Sequence, residues 1–129
     1  MNTVKVFLAD NHEWFRRSLA DYVESQIGFK VVGETGDAAE VLRKVEDLQP
    51  DLVFLDLDIP ACDGFKTTRA IKSISPRTKV VILSLYPERQ YREAARQNDA
   101  DEFIDKGTMK TVLSSFLSSI HSDEERVAS

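Results

Sequence analysis

The chain has 129 residues, of which 42% are hydrophobic and 30% are charged, and its formal net charge is −5. This length favours one domain with a full core and excludes two ordinary ones, while an acidic balance without a basic block argues against a nucleic-acid-binding surface. No apolar run approaches the roughly 20 residues of a membrane span and no signal segment opens the chain, so we expect a cytoplasmic protein.

Strand and helix patterns alternate five times along the chain, which predicts an α/β fold with a parallel sheet covered by helices on both faces. The first strand spans Val4–Ala9, and an apolar stripe that ends at Ile27 predicts the first helix. The second strand spans Phe29–Thr35. Asp37 and Glu40 then form a capping pattern for the second helix.

The second half of the chain repeats this alternation. An unbroken apolar run at residues 52–55 predicts a strand buried on both faces that ends at Asp56, and a third helix follows over residues 65–74. A fourth strand at residues 79–83 leads to a helix that begins near Pro87 and ends near Asn98 and Asp99. After a short strand at residues 103–104, the fifth helix runs to Ile120, and we expect residues 122–129 to form a disordered charged tail.

Polar side chains follow several of these strands. They are Asp10 and Asn11 after the first strand, Asp56 after the third, Ser84 after the fourth and Lys106 after the fifth. Because the carboxyl ends of parallel strands meet at one edge of a sheet, we expect these side chains to converge there. Phosphoryl transfer to a carboxylate needs a nucleophile, a divalent cation and a fixed positive donor, and this set supplies candidates for all three.

The third strand continues as Asp56-x-x-x-Pro60-x-x-Asp63-Gly64. Together with the strand-end residues above and Phe103 in the fifth strand, this pattern resembles the receiver domain of two-component response regulators. The resemblance covers the chain to about residue 120 and implies a flavodoxin-like, doubly wound five-stranded parallel sheet in the order 2-1-3-4-5, with residues 1–121 as the receiver domain. The entry into the first helix is most similar to the subgroup whose longer members carry a helix-turn-helix output domain.

The resemblance implies a phosphorylation-controlled switch whose enzymatic activity is limited to its own phosphorylation and dephosphorylation. Asp56 would accept the phosphoryl group from a histidine kinase or a phosphotransfer protein, with Lys106 as the fixed cation. Ser84 and Phe103 would act as switch residues. A downstream protein partner would bind the face formed by the fourth helix, fifth strand and fifth helix, with no direct contact of this domain to nucleic acid or membrane.

The implied cofactor is Mg²⁺, held by Asp10, Asn11, Asp56 and the region of Asp58. The family usually has two consecutive acids after the first strand, whereas this chain has Asn11 at the second position. A carboxamide oxygen can ligate Mg²⁺ but brings no charge, so we expect a lower metal affinity that Asp58 offsets in part. We interpret His12 as a surface or packing residue, since no ligand partner is patterned with it.

Two other functions fit parts of the pattern. Asp56-Leu57-Asp58 also matches the DxD of haloacid dehalogenase-type aspartyl-phosphate phosphatases, although Pro60 stands where that family has Thr or Val. The second alternative is a receiver-like adaptor that works without phosphorylation, in which Asn11 marks a decayed metal site.

Overall fold

The structure is a computed structural model that describes the backbone of residues 3–85 and 89–128 and the side chains up to His121. The strands are β1 (Val4–Ala9), β2 (Phe29–Thr35), β3 (Leu52–Asp56), β4 (Lys79–Ser84) and β5 (Glu102–Asp105). The helices are α1 (Glu13–Ser25), α2 (Ala38–Leu48), α3 (Gly64–Ile74), α4 (Arg89–Gln97) and α5 (Met109–Ala128), with a 3₁₀ turn at Lys106–Thr108 before α5.

The five strands are parallel and lie in the order β2-β1-β3-β4-β5, which confirms the predicted architecture. Every residue of the central strand β3 is buried, as its unbroken apolar run requires. The chain order reverses between β1 and β3. A crevice at the carboxyl ends of these two strands therefore opens between Asp10 and Asp56.

Helices cover both faces of the sheet because each strand alternates its side chains between two cores. Leu52 and Phe54 of β3 join one core together with buried residues of α1 and α5. Val53 and Leu55 join the other core, to which α2 and α3 contribute. Within the described ranges, none of these helices is long and apolar enough to cross a membrane.

Side-chain caps fix the starts of two helices. Asp37 accepts a hydrogen bond from the Ala39 N–H at 2.9 Å at the start of α2, as the capping pattern predicts. Asp63 accepts from the N–H groups of Phe65 and Lys66 at the start of α3. Asp99 adopts φ 69° just after α4, which agrees with the predicted stop, whereas the predicted start at Pro87 lies outside the described residues.

Two expectations differ from the structure. The helical backbone of α5 continues through Ala128, where the sequence analysis expects a disordered tail over residues 122–129. Extending an existing helix costs far less than starting one, so a charged segment of ordinary helix propensity can continue it.

The predicted apolar stripe of the first helix ends at Ile27, but α1 stops at Ser25. Ile27 therefore lies beyond the helix and is 83% exposed.

Candidate functional site

The carboxyl edge of the sheet brings together four of the predicted site residues. Asp10 follows β1, Asp56 ends β3 and Ser84 ends β4, and all three are buried. Lys106 follows β5 at the start of the 3₁₀ turn, and its side chain is 3% exposed. The parallel register of the strands therefore places two carboxylates, a hydroxyl and an ammonium at one edge, as predicted.

The Lys106 ammonium bridges the two buried carboxylates. Its Nζ lies 2.8 Å from Asp10 Oδ2 and 3.3 Å from Asp56 Oδ1. It also lies 4.4 Å from the ring centroid of Phe15, a cation–π contact that helps to compensate for lost hydration. One buried cation thus faces two buried anions, so the site carries an excess negative charge when both carboxylates are ionised.

Asp56 is held at the centre of this cluster. Its Oδ1 accepts the Asp58 N–H at 2.9 Å, whereas its buried Oδ2 has no hydrogen-bond partner among the described residues. Burial raises the pKa of Asp56 most strongly, and the nearby charge of Asp10 raises it further. The Asp58 N–H and the Lys106 charge oppose that rise in pKa, and the net direction remains upward.

Hydrogen bonds hold both the side chain and the backbone carbonyl of Asp10. Its side-chain Oδ1 accepts the His12 N–H at 2.8 Å, and its backbone carbonyl accepts a bond from Arg16 Nη1 at 2.6 Å. Arg16 also pairs with Glu34 at 3.1 Å. A Cβ at Gly36 would lie 3.0 Å from Arg16 Nη1, so a glycine at this position lets the arginine reach the carbonyl.

Two of the four predicted metal ligands lie together, and a residue that was not predicted joins them. Asp10, Asp56 and the unpredicted His12 each offer a ligand atom, and these atoms lie within 4.8 Å of one another. Asp58 is half-buried and does not belong to that group, and the side chain of Asn11 is exposed. The orphaned, buried Asp56 Oδ2 beside Asp10 fits a hard divalent cation such as Mg²⁺, because an oxygen ligand without a donor is what such an ion needs.

His12 is the site residue that sequence reasoning missed. Its Nδ1 lies 3.5 Å from Asp10 Oδ1 and 3.9 Å from Asp56 Oδ2, although the sequence analysis interprets it as a surface or packing residue. The available signal was its position two residues after a strand-end aspartate, where a helix begins. No second ligand with helical spacing marks it, because Asp10 precedes the helix and Asp56 lies at the end of a separate strand.

Phe103 and Ser84 occupy the side of the site nearest to α4. Phe103 lies in β5 and is buried against Ile82 and Ala95. Ser84 pairs in register with Asp105, two residues after Phe103. Arg92 of α4 donates from Nη1 to the Phe103 carbonyl at 3.2 Å, and its guanidinium carbon lies 4.9 Å from the phenyl centroid.

The Pro60-x-x-Asp63-Gly64 segment shapes the loop beside the site. Asp63 caps α3, as described above. A Cβ at Gly64 would lie 2.6 Å from Leu57 Cδ2, so a larger residue here would displace the Leu57 side chain in the loop that follows Asp56. These residues therefore fix the loop that runs from Asp56 to the start of α3.

Comparison with known proteins assigns this arrangement to a family. Residues 6–117 match the model of the response regulator receiver domain. The chain is 34% identical over 106 residues to the response regulator protein VraR of Staphylococcus aureus, a match that covers 82% of this chain and 51% of VraR. The chain therefore spans about half the length of the curated relatives it matches.

Solved structures agree with this assignment. The signal receiver domain of the response regulator NarL from Mycobacterium tuberculosis superposes with a TM-score of 0.84 at 27% identity, covering 93% of this chain and 98% of that one. The response regulator domain of CheB from Thermotoga maritima gives a TM-score of 0.82 at 26% identity, covering 94% and 96%.

The chain belongs to the response regulator receiver domain family of two-component systems. Members of this family generally act as phosphoacceptor switches that interact with histidine kinases and output partners, and they bind Mg²⁺ at acidic residues. Membership in this family leaves the phosphatase alternative without support, whereas the adaptor alternative concerns a member of the same family and stays open.

Proposed function

We propose that this receiver domain accepts a phosphoryl group on Asp56 and passes the change to a protein partner. The single observation that carries this proposal is the buried cluster in which Lys106 Nζ faces both Asp56 and Asp10. A buried carboxylate beside a fixed cation and a second carboxylate has the parts that phosphoryl transfer requires. An ordinary structural ion pair would not need the second carboxylate.

The proposed donor is a phosphohistidine of a histidine kinase or phosphotransfer protein. A carboxylate oxygen of Asp56 attacks phosphorus, a P–O bond forms, the P–N bond breaks, and the donor imidazole leaves with a proton from solvent. Bound Mg²⁺ would neutralise charge on the phosphoryl oxygens. Asp10 and Asp56 would hold the ion, with Asn11 and Asp58 contributing from the loops, and Lys106 would stabilise the remaining negative charge.

Slow loss of the phosphoryl group by hydrolysis is part of this proposal, as is self-phosphorylation from small phosphodonors. Both would use the groups gathered around Asp56 together with bound Mg²⁺. Because the acyl phosphate is buried and Lys106 faces it, the attacking water must enter from the open side of the crevice, where His12 lies.

The response would travel through Ser84 and Phe103 to the face formed by α4, β5 and α5. Ser84 would hydrogen-bond the phosphoryl group, and Phe103 would change its packing. A cavity of about 430 Å³ on this face is lined by Arg92, Phe103 and Phe116 among others, so a repacked phenyl ring would alter its shape. Phe103 lacks the hydroxyl of a tyrosine, so the response here depends on packing and on the Arg92 contact.

The partner is proposed to be a protein in the cytoplasm and not nucleic acid or membrane, since the net charge is −5 without a basic block. The resemblance to regulators with helix-turn-helix output domains makes such a domain a candidate recipient of the signal. The adaptor that works without phosphorylation is the second candidate, favoured by the uncharged Asn11 in the metal region.

Intact-mass measurement tests the proposal. The protein is incubated with Mg²⁺ and acetyl phosphate or phosphoramidate, and the wild type should gain one phosphoryl mass that Asp56→Asn does not gain. Asp47→Asn removes an exposed carboxylate on α2 and should behave like the wild type. If the wild type gains no phosphoryl mass at saturating donor and metal, the adaptor replaces this proposal.

A further inference from the structure

The imidazole of His12 lies against the two carboxylate oxygens that Lys106 contacts least closely. Its Nδ1 is 3.5 Å from Asp10 Oδ1 and 3.9 Å from Asp56 Oδ2, whereas the two shortest contacts of the ammonium are to Asp10 Oδ2 and Asp56 Oδ1. Lys106 Nζ therefore contacts one oxygen of each carboxylate, and the other oxygen of each faces His12 Nδ1.

No local structural role accounts for this position of the ring. His12 is the N-cap of α1, yet its side chain makes no capping hydrogen bond. Its backbone N–H already serves Asp10 Oδ1, and the side chain is 51% exposed, so burial does not hold it in place. Asp56 Oδ2, which it faces, is buried without a hydrogen-bond partner in the described residues. This unpartnered oxygen indicates a ligand that Asp56 shares with the His12 imidazole.

The separations of His12 Nδ1 from the two carboxylate oxygens are close to those between neighbouring ligands of one metal ion, and all three ligand atoms lie within 4.8 Å of one another. Two ligands at adjacent positions lie about 3.3 Å apart in a tetrahedral zinc-type site and about 2.9 Å apart in an octahedral site with bonds near 2.1 Å. The observed 3.5 and 3.9 Å exceed these values by about 1 Å or less. A small rotation of an exposed histidine side chain can close such a gap.

We propose that His12 is a third protein ligand of the metal site, so that the site prefers a divalent first-row transition ion over Mg²⁺. This inference rests on the metal site of the proposed function. Imidazole nitrogen suits the later first-row ions, whereas Mg²⁺ demands oxygen and gains little from a nitrogen donor. A site with two carboxylates and one imidazole therefore distinguishes a transition ion from Mg²⁺. A site with two carboxylates and an amide oxygen would not make that distinction.

The experiment compares the dissociation constants for Co²⁺ and Mg²⁺ by calorimetry in the wild type, in His12→Ala and in His12→Gln. The ratio of Co²⁺ affinity to Mg²⁺ affinity should fall at least tenfold in both variants. His121→Gln changes the other histidine of the chain, which packs on Phe29 away from the site, and should leave the ratio unchanged. Thermal melts without metal show that each variant is folded.

Proton NMR with Co²⁺ supplies a direct signature of nitrogen ligation. The wild type should show strongly shifted imidazole ring signals that are lost in His12→Ala and kept in His121→Gln. An unchanged affinity ratio in both His12 variants, or shifted ring signals that persist in His12→Ala, overturns the inference, as does a wild type that does not bind Co²⁺ more tightly than Mg²⁺.

These readouts need no phosphodonor, so they separate the two proposals. A wild type that gains no phosphoryl mass in Mg²⁺ but shows shifted imidazole signals with Co²⁺ contradicts the proposed function and supports the His12 ligand. A wild type that gains the phosphoryl mass but shows no shifted signals supports the proposed function and contradicts the His12 ligand.

Discussion

The ammonium of Lys106 lies 2.8 Å from Asp10 Oδ2, and both side chains are almost wholly buried, at 3% and 2% exposure. A buried ion pair whose partners have lost their hydration depends on both members being present. Asp56 shares the same ammonium at 3.3 Å. Among the described side chains, Lys106 is the only lysine or arginine paired with these two carboxylates, and its removal leaves them facing each other.

Lys106→Met should destabilise the folded protein by about 3 kcal/mol at pH 7, because uncompensated buried charge is among the costliest single changes. The loss should be smaller at pH 5, since Asp56 has a raised pKa and can take up a proton to relieve the repulsion. Urea unfolding at both pH values measures this change. Lys110→Met, at an exposed position of α5, is the control and should change stability little. Equal destabilisation by the two variants contradicts the prediction.

Asp56→Asn should stabilise the protein at pH 7 by about 1 to 2 kcal/mol, because it removes a buried charge that folding disfavours. The pKa of Asp56 is raised above its ordinary value of 3.8 in the folded state, so the folded protein binds more protons than the unfolded chain above that pH. The wild type therefore loses stability as the pH rises through the folded pKa, and the advantage of the variant grows over the same interval.

Urea unfolding between pH 4 and pH 8 measures that advantage, with Asp47→Asn as the control at an exposed carboxylate. The difference between Asp56→Asn and wild type should shrink toward pH 4. A variant that is less stable than wild type at pH 7, or a pH-independent difference, shows that the environment of Asp56 does not disfavour its charge.

The sheet could be predicted from sequence because each strand is a local apolar run and the connections between parallel strands obey strong rules. Site residues that lie at strand ends could be placed for the same reason. His12 could not, because Asp56 meets it only through the packing of β1 beside β3, and an aspartate two residues before a histidine is by itself no sign of a site. The end of α5 was missed for a different reason. The apolar periodicity of the sequence stops at Ile120, whereas the helical backbone continues to Ala128.

Ser84→Ala should abolish the response of the α4–β5–α5 face while costing about 1 kcal/mol of stability, the usual worth of one hydrogen bond. Ser84 is buried at the end of β4, so its hydroxyl can reach a phosphoryl group on Asp56 without being part of the apolar core. Amide hydrogen exchange in β5 and α5, with and without phosphodonor, measures the response.

Ser84→Thr keeps the hydroxyl and should restore the exchange response, which separates the hydrogen bond from general damage. Arg92→Ala provides a second comparison, because it removes the contact to the Phe103 carbonyl and ring on the surface side. That variant should speed exchange in β5 before phosphorylation. An exchange response that survives in Ser84→Ala removes Ser84 from the switch.

Asn11→Asp should raise Mg²⁺ affinity about tenfold, or about 1.4 kcal/mol, because it adds a negative charge next to Asp10 at the mouth of the crevice. Asn11 is exposed, so the added carboxylate carries little desolvation cost. Asp58→Asn should lower the affinity by a similar factor. Its backbone N–H to Asp56 Oδ1 does not depend on the side chain, so the loss reports the charge alone.

Calorimetric Mg²⁺ titration measures both variants, and emission from Trp14, which is 82% exposed beside the site, gives a second signal. Gln97→Glu adds one negative charge at an exposed position of α4 and should leave the affinity unchanged, so it separates ligation from net charge. Asp10, Asp56 and Lys106 already determine the electrostatic field at the site. A group at position 11 must therefore act at contact distance to change the Mg²⁺ affinity tenfold. If Asn11→Asp binds Mg²⁺ no more tightly than Gln97→Glu does, residue 11 is not a ligand of the metal.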